Sequence, residues 1–181
     1  MGFLKSWVAV GLAASLYSCS GEATQKTADA PDVTTATPAV QTTPAKEQLP
    51  PFAMVDAAGN TVGIQQFRGK KIFVNLWATW CPPCRAEMPS IEKLYSIADT
   101  SKVQFVMLSL DKDFETAKKY VQTNHFTAPI FYPAGDLPPL FSVNGIPTTF
   151  IFNEQGQLLE QHEGSENYNT ATYRKLFGAA K

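Results

Sequence analysis

The stretch LWATWCPPCRAEMP, residues 76–89, decides the fold of this chain. It follows an apolar run, residues 72–76, that predicts a buried strand, and Pro82 stands where a helix tolerates proline, at its first positions. Cys81 and Cys84 therefore fall at the start of a helix. The free N–H groups and the positive end of the helix dipole there lower the pKa of the Cys81 thiol. The pair predicts thiol–disulfide exchange.

The residues around the cysteines resemble the TlpA-like group of the thioredoxin superfamily, which includes ResA-like proteins. The family pattern, V-N-x-W-A-T-W-C-P-P-C-x-x-E-x-P, is matched at every fixed letter from Val74 to Pro89. The likeness extends over residues 47–180 and includes the segments 49–52, 67–70 and 145–150. The resemblance implies an α/β thioredoxin fold, with a central mixed β-sheet flanked by helices and an N-terminal β-hairpin extension.

The resemblance also implies roles for three residues on the helix. Cys81 is the attacking thiolate, expected to be more exposed, and Cys84 is the resolving thiol, held further in. Asn75 occupies the place where thioredoxins carry a buried aspartate that handles protons. Glu87, three residues after Cys84 and on the same helix face, is the implied proton acceptor for Cys84. A solvated glutamate near the helix start is the alternative interpretation.

Three further residues are candidates for substrate binding. Ile146–Pro147 matches the superfamily's cis proline, which faces the disulfide, and the residue before that proline pairs its backbone with substrate. Trp80, next to Cys81, either borders the substrate surface or lies in the core, whereas Trp77 is expected in the core.

The prolines between the cysteines limit how far the Cys81 thiolate can be stabilised. Pro82 and Pro83 have no N–H, so the available backbone donors begin at Cys84 and Arg85. We therefore expect a moderate depression of the Cys81 pKa, which favours a reductant over a strong oxidant.

The first 46 residues predict export and anchoring. Lys5 precedes an apolar segment, residues 7–17, that is too short to span a bilayer, so residues 1–18 are interpreted as a lipoprotein-type signal peptide. Residues 16–19 resemble a lipobox, which implies lipidation of Cys19; an ordinary secretory signal with a chance cysteine is the alternative. Residues 19–46 are poor in large apolar side chains and predict a flexible tether to a domain at 47–181. The expected location is extracytoplasmic, at the outer membrane if the cell has one.

The spacing of apolar residues and the turn-forming residues predict the elements of the folded part. They indicate a hairpin at 52–64, strands at 71–76, 103–110 and 130–132, and a closing pair at 147–153 and 157–161. Helices are expected at 81–98, 113–124, 137–143 and 167–180.

Other uses of the cysteine pair fit the sequence less well. Zinc needs about four ligands, but the remaining candidates are Cys19 and the scattered His125 and His162, so no metal site is expected. A structural disulfide would close too short a loop to stabilise much. A peroxidase would need a threonine three residues before a lone cysteine. A reduced pair that carries Cu(I) is the main alternative function.

The expected function is reduction of disulfides in exported proteins, such as cytochrome c maturation substrates in the resembling family. A membrane thiol protein would supply electrons, and no organic cofactor is required. A net charge of −1 over 181 residues gives no indication of a nucleic-acid partner. We expect a lipid-anchored monomer.

Overall fold

The computed structural model describes residues 47–178. The signal peptide, Cys19 and the tether predicted before residue 47 lie outside the described residues. Seven strands form one mixed sheet in the order β2-β1-β5-β4-β3-β6-β7. The strands are β1 (Ala53–Asp56), β2 (Thr61–Gly63), β3 (Lys71–Trp77), β4 (Val103–Ser109), β5 (Ile130–Pro133), β6 (Thr148–Phe152) and β7 (Leu158–Glu163). The helices are α1 (Pro82–Ile97), α2 (Phe114–Thr123) and α3 (Ala171–Leu176), with 3₁₀ turns at Ile64–Phe67 and Pro139–Phe141.

The centre of the sheet consists of two long, largely apolar strands. β3 and β4 are parallel over their full length, from Lys71 opposite Val103 to Trp77 opposite Ser109. Parallel strands are buried on both faces, which explains their nearly continuous apolar sequences. β6 lies antiparallel on the other side of β3. The predicted α/β class with a mixed sheet is confirmed.

Side chains of β3 alternate between two cores. Phe73 and Trp77 belong to the core beneath α1, whereas Ile72, Val74 and Leu76 belong to the core on the opposite face. Because successive strand residues point to opposite faces, Asn75 lies on the face covered by α1. This alternation sends one polar side chain of a buried strand toward the helix that carries both cysteines.

The N-terminal hairpin is confirmed as an extension of the sheet. The Asp56 carboxylate accepts hydrogen bonds from the backbone N–H groups of Ala58 and Asn60, at 2.9 and 2.8 Å. Gly59 has φ +89°, which a glycine adopts without strain. β1 then pairs antiparallel with β5 and continues the sheet.

The last helix is shorter than predicted. α3 begins at Ala171, whereas the sequence pattern placed its start at residue 167. The Asn167 side chain accepts from the N–H of Asn169 at 3.0 Å, and the N–H of Tyr168 donates to Ser90 Oγ at 3.0 Å. These side-chain bonds compete with a helical turn. They hold residues 165–170 in an irregular segment that lies against α1.

Between residues 47 and 178, none of the helices combines the length and the apolar character that crossing a bilayer requires.

Candidate active site

Both cysteines lie where the turn after β3 enters α1. Cys81 is the N-cap of α1, and its Sγ accepts a hydrogen bond from the backbone N–H of Cys84 at 3.2 Å. Pro82 and Pro83 fill the first helical positions, where their missing N–H groups cost nothing. The N–H of Arg85 donates to the Cys81 carbonyl at 3.1 Å. One backbone donor therefore serves the Cys81 sulfur, fewer than the two that the sequence allowed.

Cys81 and Cys84 form a disulfide in this structure. The exposed fraction is 3% for Cys81 and 0% for Cys84. Cys81 is thus the more exposed of the two, as expected, but both cysteines are nearly buried in the oxidised form. The side chain of Cys81 turns back over the helix start to join Cys84, and the loop before β6 covers it.

The loop that covers Cys81 carries the predicted cis proline. The Ile146–Pro147 peptide bond is cis, which confirms that prediction. The Ile146 carbonyl oxygen lies 3.6 Å from Cys81 Sγ. Thr148 Oγ1 donates to the Gly145 carbonyl at 2.7 Å, and the N–H of Gly164 donates to the Pro147 carbonyl at 2.9 Å. Since both sides of the loop are tied down, Ile146 is held against the sulfur.

Glu87 is buried on the inner face of α1, with 2% of its surface exposed. One carboxylate oxygen accepts from Asn75 Nδ2 at 2.8 Å, and the other accepts from the backbone N–H of Glu166 at 3.2 Å. The pKa of Glu87 is raised from 4.5 to about 7. Burial is the largest cause; these two hydrogen bonds partly oppose it by lowering the pKa, and the nearby Glu166 charge raises it slightly. The alternative of a solvated glutamate is therefore wrong. A carboxyl group with this pKa can take up or release a proton near neutral pH.

Asn75 belongs to a polar chain that the sequence analysis missed. Its Nδ2 donates to Thr149 Oγ1 at 2.9 Å as well as to Glu87, and the Tyr168 hydroxyl donates to the same Thr149 oxygen at 2.7 Å. Asn75, Thr149 and Tyr168 are all buried. Burial of its hydroxyl raises the pKa of Tyr168 well above the ordinary range, so this residue acts as a donor and not as an acid. The chain fixes the amide that faces Glu87.

Trp80 lies on the surface, with 64% of its area exposed, whereas Trp77 is fully buried, as predicted. Beside Trp80 runs an apolar groove of about 430 Å³ that ends at Ile146. Leu110, Leu137 and Val143 line its walls, and Phe141 lies at its base with no exposed surface. The residues of the 3₁₀ turn Pro139–Phe141 were expected only as a short helix, and their position along this groove had no sequence signal.

The two histidines lie on β7 and just after α2. His162 is 4.0 Å from Glu166, and His125 lies just beyond α2 with φ +58°. Across the part of the chain that the structure describes, no three metal-binding side chains come together. Cys19, the predicted lipidation site, falls outside that part.

Comparisons with known proteins agree with this geometry. Residues 27–176 match the Redoxin family. The chain is 35% identical to the thioredoxin-like protein YneN of Bacillus subtilis, over 66% of this chain and 71% of that protein. It is 31% identical to the thiol-disulfide oxidoreductase ResA of Halalkalibacterium halodurans, over 66% and 69% of the two chains. The crystal structure of StoA from Bacillus subtilis superposes with a TM-score of 0.58 at 25% identity, covering 72% of this chain and 96% of that one.

These relatives, the thioredoxin-like sheet and the CxxC disulfide at a helix start lead to one assignment. The resemblance to the TlpA-like group and the predicted thioredoxin fold are confirmed. This chain belongs to the Redoxin family, as a ResA-like thiol–disulfide oxidoreductase.

Proposed function

We propose that this oxidoreductase works as a reductant of polypeptide disulfides outside the cytoplasm. The observation that supports reduction over oxidation is the small number of backbone hydrogen bonds to the Cys81 sulfur. Within residues 47–178, Cys84 N–H is the one backbone group that donates to it, since Pro82 and Pro83 have none and Arg85 N–H is used by the helix. A weakly stabilised thiolate leaves the reduced form reactive, which favours donation of electrons.

The proposed reaction has two exchange steps. The Cys81 thiolate attacks one sulfur of a substrate disulfide, which forms a mixed disulfide and expels the other substrate sulfur as a thiolate. Cys84 then gives its thiol proton to the Glu87 carboxylate and attacks Cys81 Sγ. The substrate leaves with two reduced sulfurs, and the enzyme is left with the Cys81–Cys84 disulfide. A second dithiol protein must return two electrons before the next turnover.

The groove beside Trp80 supports a polypeptide as the substrate. Its walls are mainly apolar, and it leads to Ile146, whose carbonyl is next to Cys81 Sγ. An extended segment with an apolar side chain near its cystine would place that side chain in the groove and its backbone along Ile146. Cytochrome c maturation substrates are the proposed example, as the resemblance to the TlpA-like group implies.

The proposed location rests on the sequence of the first 46 residues, and the proposed membrane electron donor rests on the resemblance to the TlpA-like group. An apolar segment at 7–17 followed by Cys19 supports export and lipidation, and residues 20–46 support a flexible tether. A tether of about 27 residues has a reach of roughly 30 Å by the flexible-coil estimate. That reach would allow an anchored monomer to meet both a membrane thiol donor and a soluble substrate.

The decisive experiment is the reduction potential of the Cys81–Cys84 pair in the purified chain, equilibrated against defined thiol buffers. A value near or below about −250 mV is expected for a reductant, whereas one near about −120 mV would make the protein an oxidant. The same samples should be titrated with Cu(I). Tight capture of Cu(I), together with no turnover of a disulfide peptide, would favour a copper carrier instead.

A further inference from the structure

A second buried carboxylate, Asp111, lies under the turn that precedes Cys81. It follows β4 and is 5% exposed. Glu87 and Asp111 are the two charged side chains buried within residues 47–178, and no salt bridge in that range involves Asp111. A buried carboxylate without a cation is unfavourable unless donors surround it. The groups that donate hydrogen bonds to Asp111 therefore show which part of the structure it stabilises.

Those hydrogen bonds converge on Thr79. Asp111 Oδ1 accepts from the backbone N–H and the hydroxyl of Thr79, at 3.1 and 2.7 Å. Asp111 Oδ2 accepts from the same N–H at 3.2 Å and from Ser109 Oγ at 2.9 Å. Both polar groups of Thr79 that are free to donate are thus bound to one carboxylate.

Thr79 lies inside the turn that aims the reactive cysteine. The N–H of Cys81 donates to the Ala78 carbonyl at 3.2 Å and closes this turn, and the N–H of Leu110 donates to the Trp77 carbonyl at 2.8 Å beneath it. Fixing Thr79 therefore fixes the residues on either side. Trp80 is directed outward over the groove, and Cys81 is held at the N-cap of α1.

The anchor matters most when the disulfide is open. In the oxidised form the bond to Cys84 holds Cys81 in place. In the reduced form that bond is absent, and in a mixed disulfide the substrate pulls on Cys81. The turn then depends on its own hydrogen bonds, of which those to Asp111 are the charge-assisted and stronger ones.

We propose that Asp111 is a positioning residue, which acts through Thr79 to keep Trp80 and Cys81 in attack geometry while the disulfide is open. It does not touch the reacting sulfurs. The proposal goes beyond the oxidoreductase activity by naming the group that sets the nucleophile's position, and it holds for either direction of electron flow.

The test compares Asp111→Ala with Asp111→Asn in the full chain. Asparagine retains an oxygen for Thr79 and can donate to Ser109 Oγ, whereas alanine retains neither bond. The matched control is Asp113→Ala, two residues on, whose carboxylate instead caps α2 by accepting from Thr116 N–H at 2.9 Å. Each variant turns over a disulfide peptide with a saturating small-molecule dithiol as the electron donor, and kcat and KM are measured below the unfolding temperature of every variant.

Asp111→Ala is expected to lower kcat by about tenfold or more, since small misplacements of a nucleophile cost up to about 100-fold. Asp111→Asn should remain within about threefold of the parent protein, and Asp113→Ala should match the parent. An Asp111→Ala protein that is less stable but reacts at the parent rate would overturn the proposal. So would an Asp111→Asn protein as slow as Asp111→Ala, because charge and not placement would then be the cause.

A second pair keeps the test decisive if Asp111→Ala fails to fold. Thr79→Val removes the hydroxyl bond to Asp111 but leaves the backbone N–H, whereas Thr79→Ser retains both. We expect Thr79→Val to lower kcat by about threefold or more and Thr79→Ser to restore it. Equal kcat values in both variants and the parent protein would refute the positioning role.

Discussion

Replacing Glu87 with glutamine should change how the stability of the oxidised protein depends on pH. Burial raises the pKa of this carboxyl group from 4.5 to about 7. Between these values the native state binds a proton more tightly than the unfolded chain does. The free energy of unfolding therefore decreases as pH rises through this window. The cost of charging Glu87 is absent below about pH 4.5 and fully present above about pH 7.

The magnitude follows from the two pKa values. A shift from 4.5 to about 7 corresponds to roughly 3 kcal/mol of differential interaction. Integrated between pH 5 and pH 8, it amounts to roughly 2–3 kcal/mol. Glutamine carries no charge at any pH, so the variant lacks this term. Its amide also meets two donors, Asn75 Nδ2 and the N–H of Glu166, with only one acceptor oxygen. That mismatch lowers stability by an amount that does not depend on pH.

The assay is urea unfolding of both oxidised proteins at pH 5, 6, 7 and 8. The unfolding free energy of Glu87→Gln minus that of the parent should grow by roughly 2–3 kcal/mol across the series. All other titrating groups are common to both proteins and cancel. Glu115→Gln, at an exposed position on α2, controls for the loss of one surface carboxylate. A difference that stays constant from pH 5 to pH 8 would refute a raised Glu87 pKa.

Three further changes test the site and the core. Cys84→Ser should trap a mixed disulfide between Cys81 and a substrate peptide, and Cys81→Ser should trap none; non-reducing mass spectrometry distinguishes the two. Trp80→Ala should lower kcat/KM for a disulfide peptide by about tenfold, which corresponds to the loss of a contact worth roughly 1.4 kcal/mol. Leu159→Ala, at another exposed large apolar residue, should leave kcat/KM unchanged. Equal losses in the two variants would contradict substrate binding in the groove at Trp80. Phe73→Ala should lower the free energy of unfolding, measured by urea denaturation, by about 3–5 kcal/mol, because Phe73 is fully buried. A loss under about 1 kcal/mol would show that the core closes around the gap.

The sequence predicted the parts of the fold that depend on local pattern. The apolar runs of β3 and β4, the glycine turn at Gly59 and the proline at the start of α1 each have a physical signature within a few residues. The face of Asn75 also follows from strand alternation, because Phe73 and Trp77 lie on either side of it at a period of two. The site around the cysteines could therefore largely be predicted from one continuous stretch of sequence.

Contacts between segments that are distant in the sequence could not be predicted from local patterns. Thr149 and Tyr168 lie 74 and 93 positions after Asn75, and neither has a neighbour pattern that marks it as part of a buried polar chain. The shortened α3 has the same origin, since Ser90 on α1 holds the N–H of Tyr168. Asp111 is another case, because its partner Thr79 is 32 residues earlier. Such pairings depend on how the sheet brings strand ends together, and single-sequence patterns carry no record of that.

The proposed proton acceptor works because burial and hydrogen bonding oppose each other at Glu87. With burial alone, the pKa would rise further, and a protonated Glu87 could not accept a proton from Cys84 at neutral pH. Fully exposed, the carboxylate would be a weak base, poorly matched to a thiol whose unperturbed pKa is about 8.5. The donors on Asn75 and Glu166 bring the pKa back to about 7, close to the working pH at which a general base is most effective. Since Glu87 is three residues after Cys84, the helix fixes their spacing. Asn75, on the strand, then needs only to adjust the pKa of the carboxylate, which an amide does by donating a hydrogen bond.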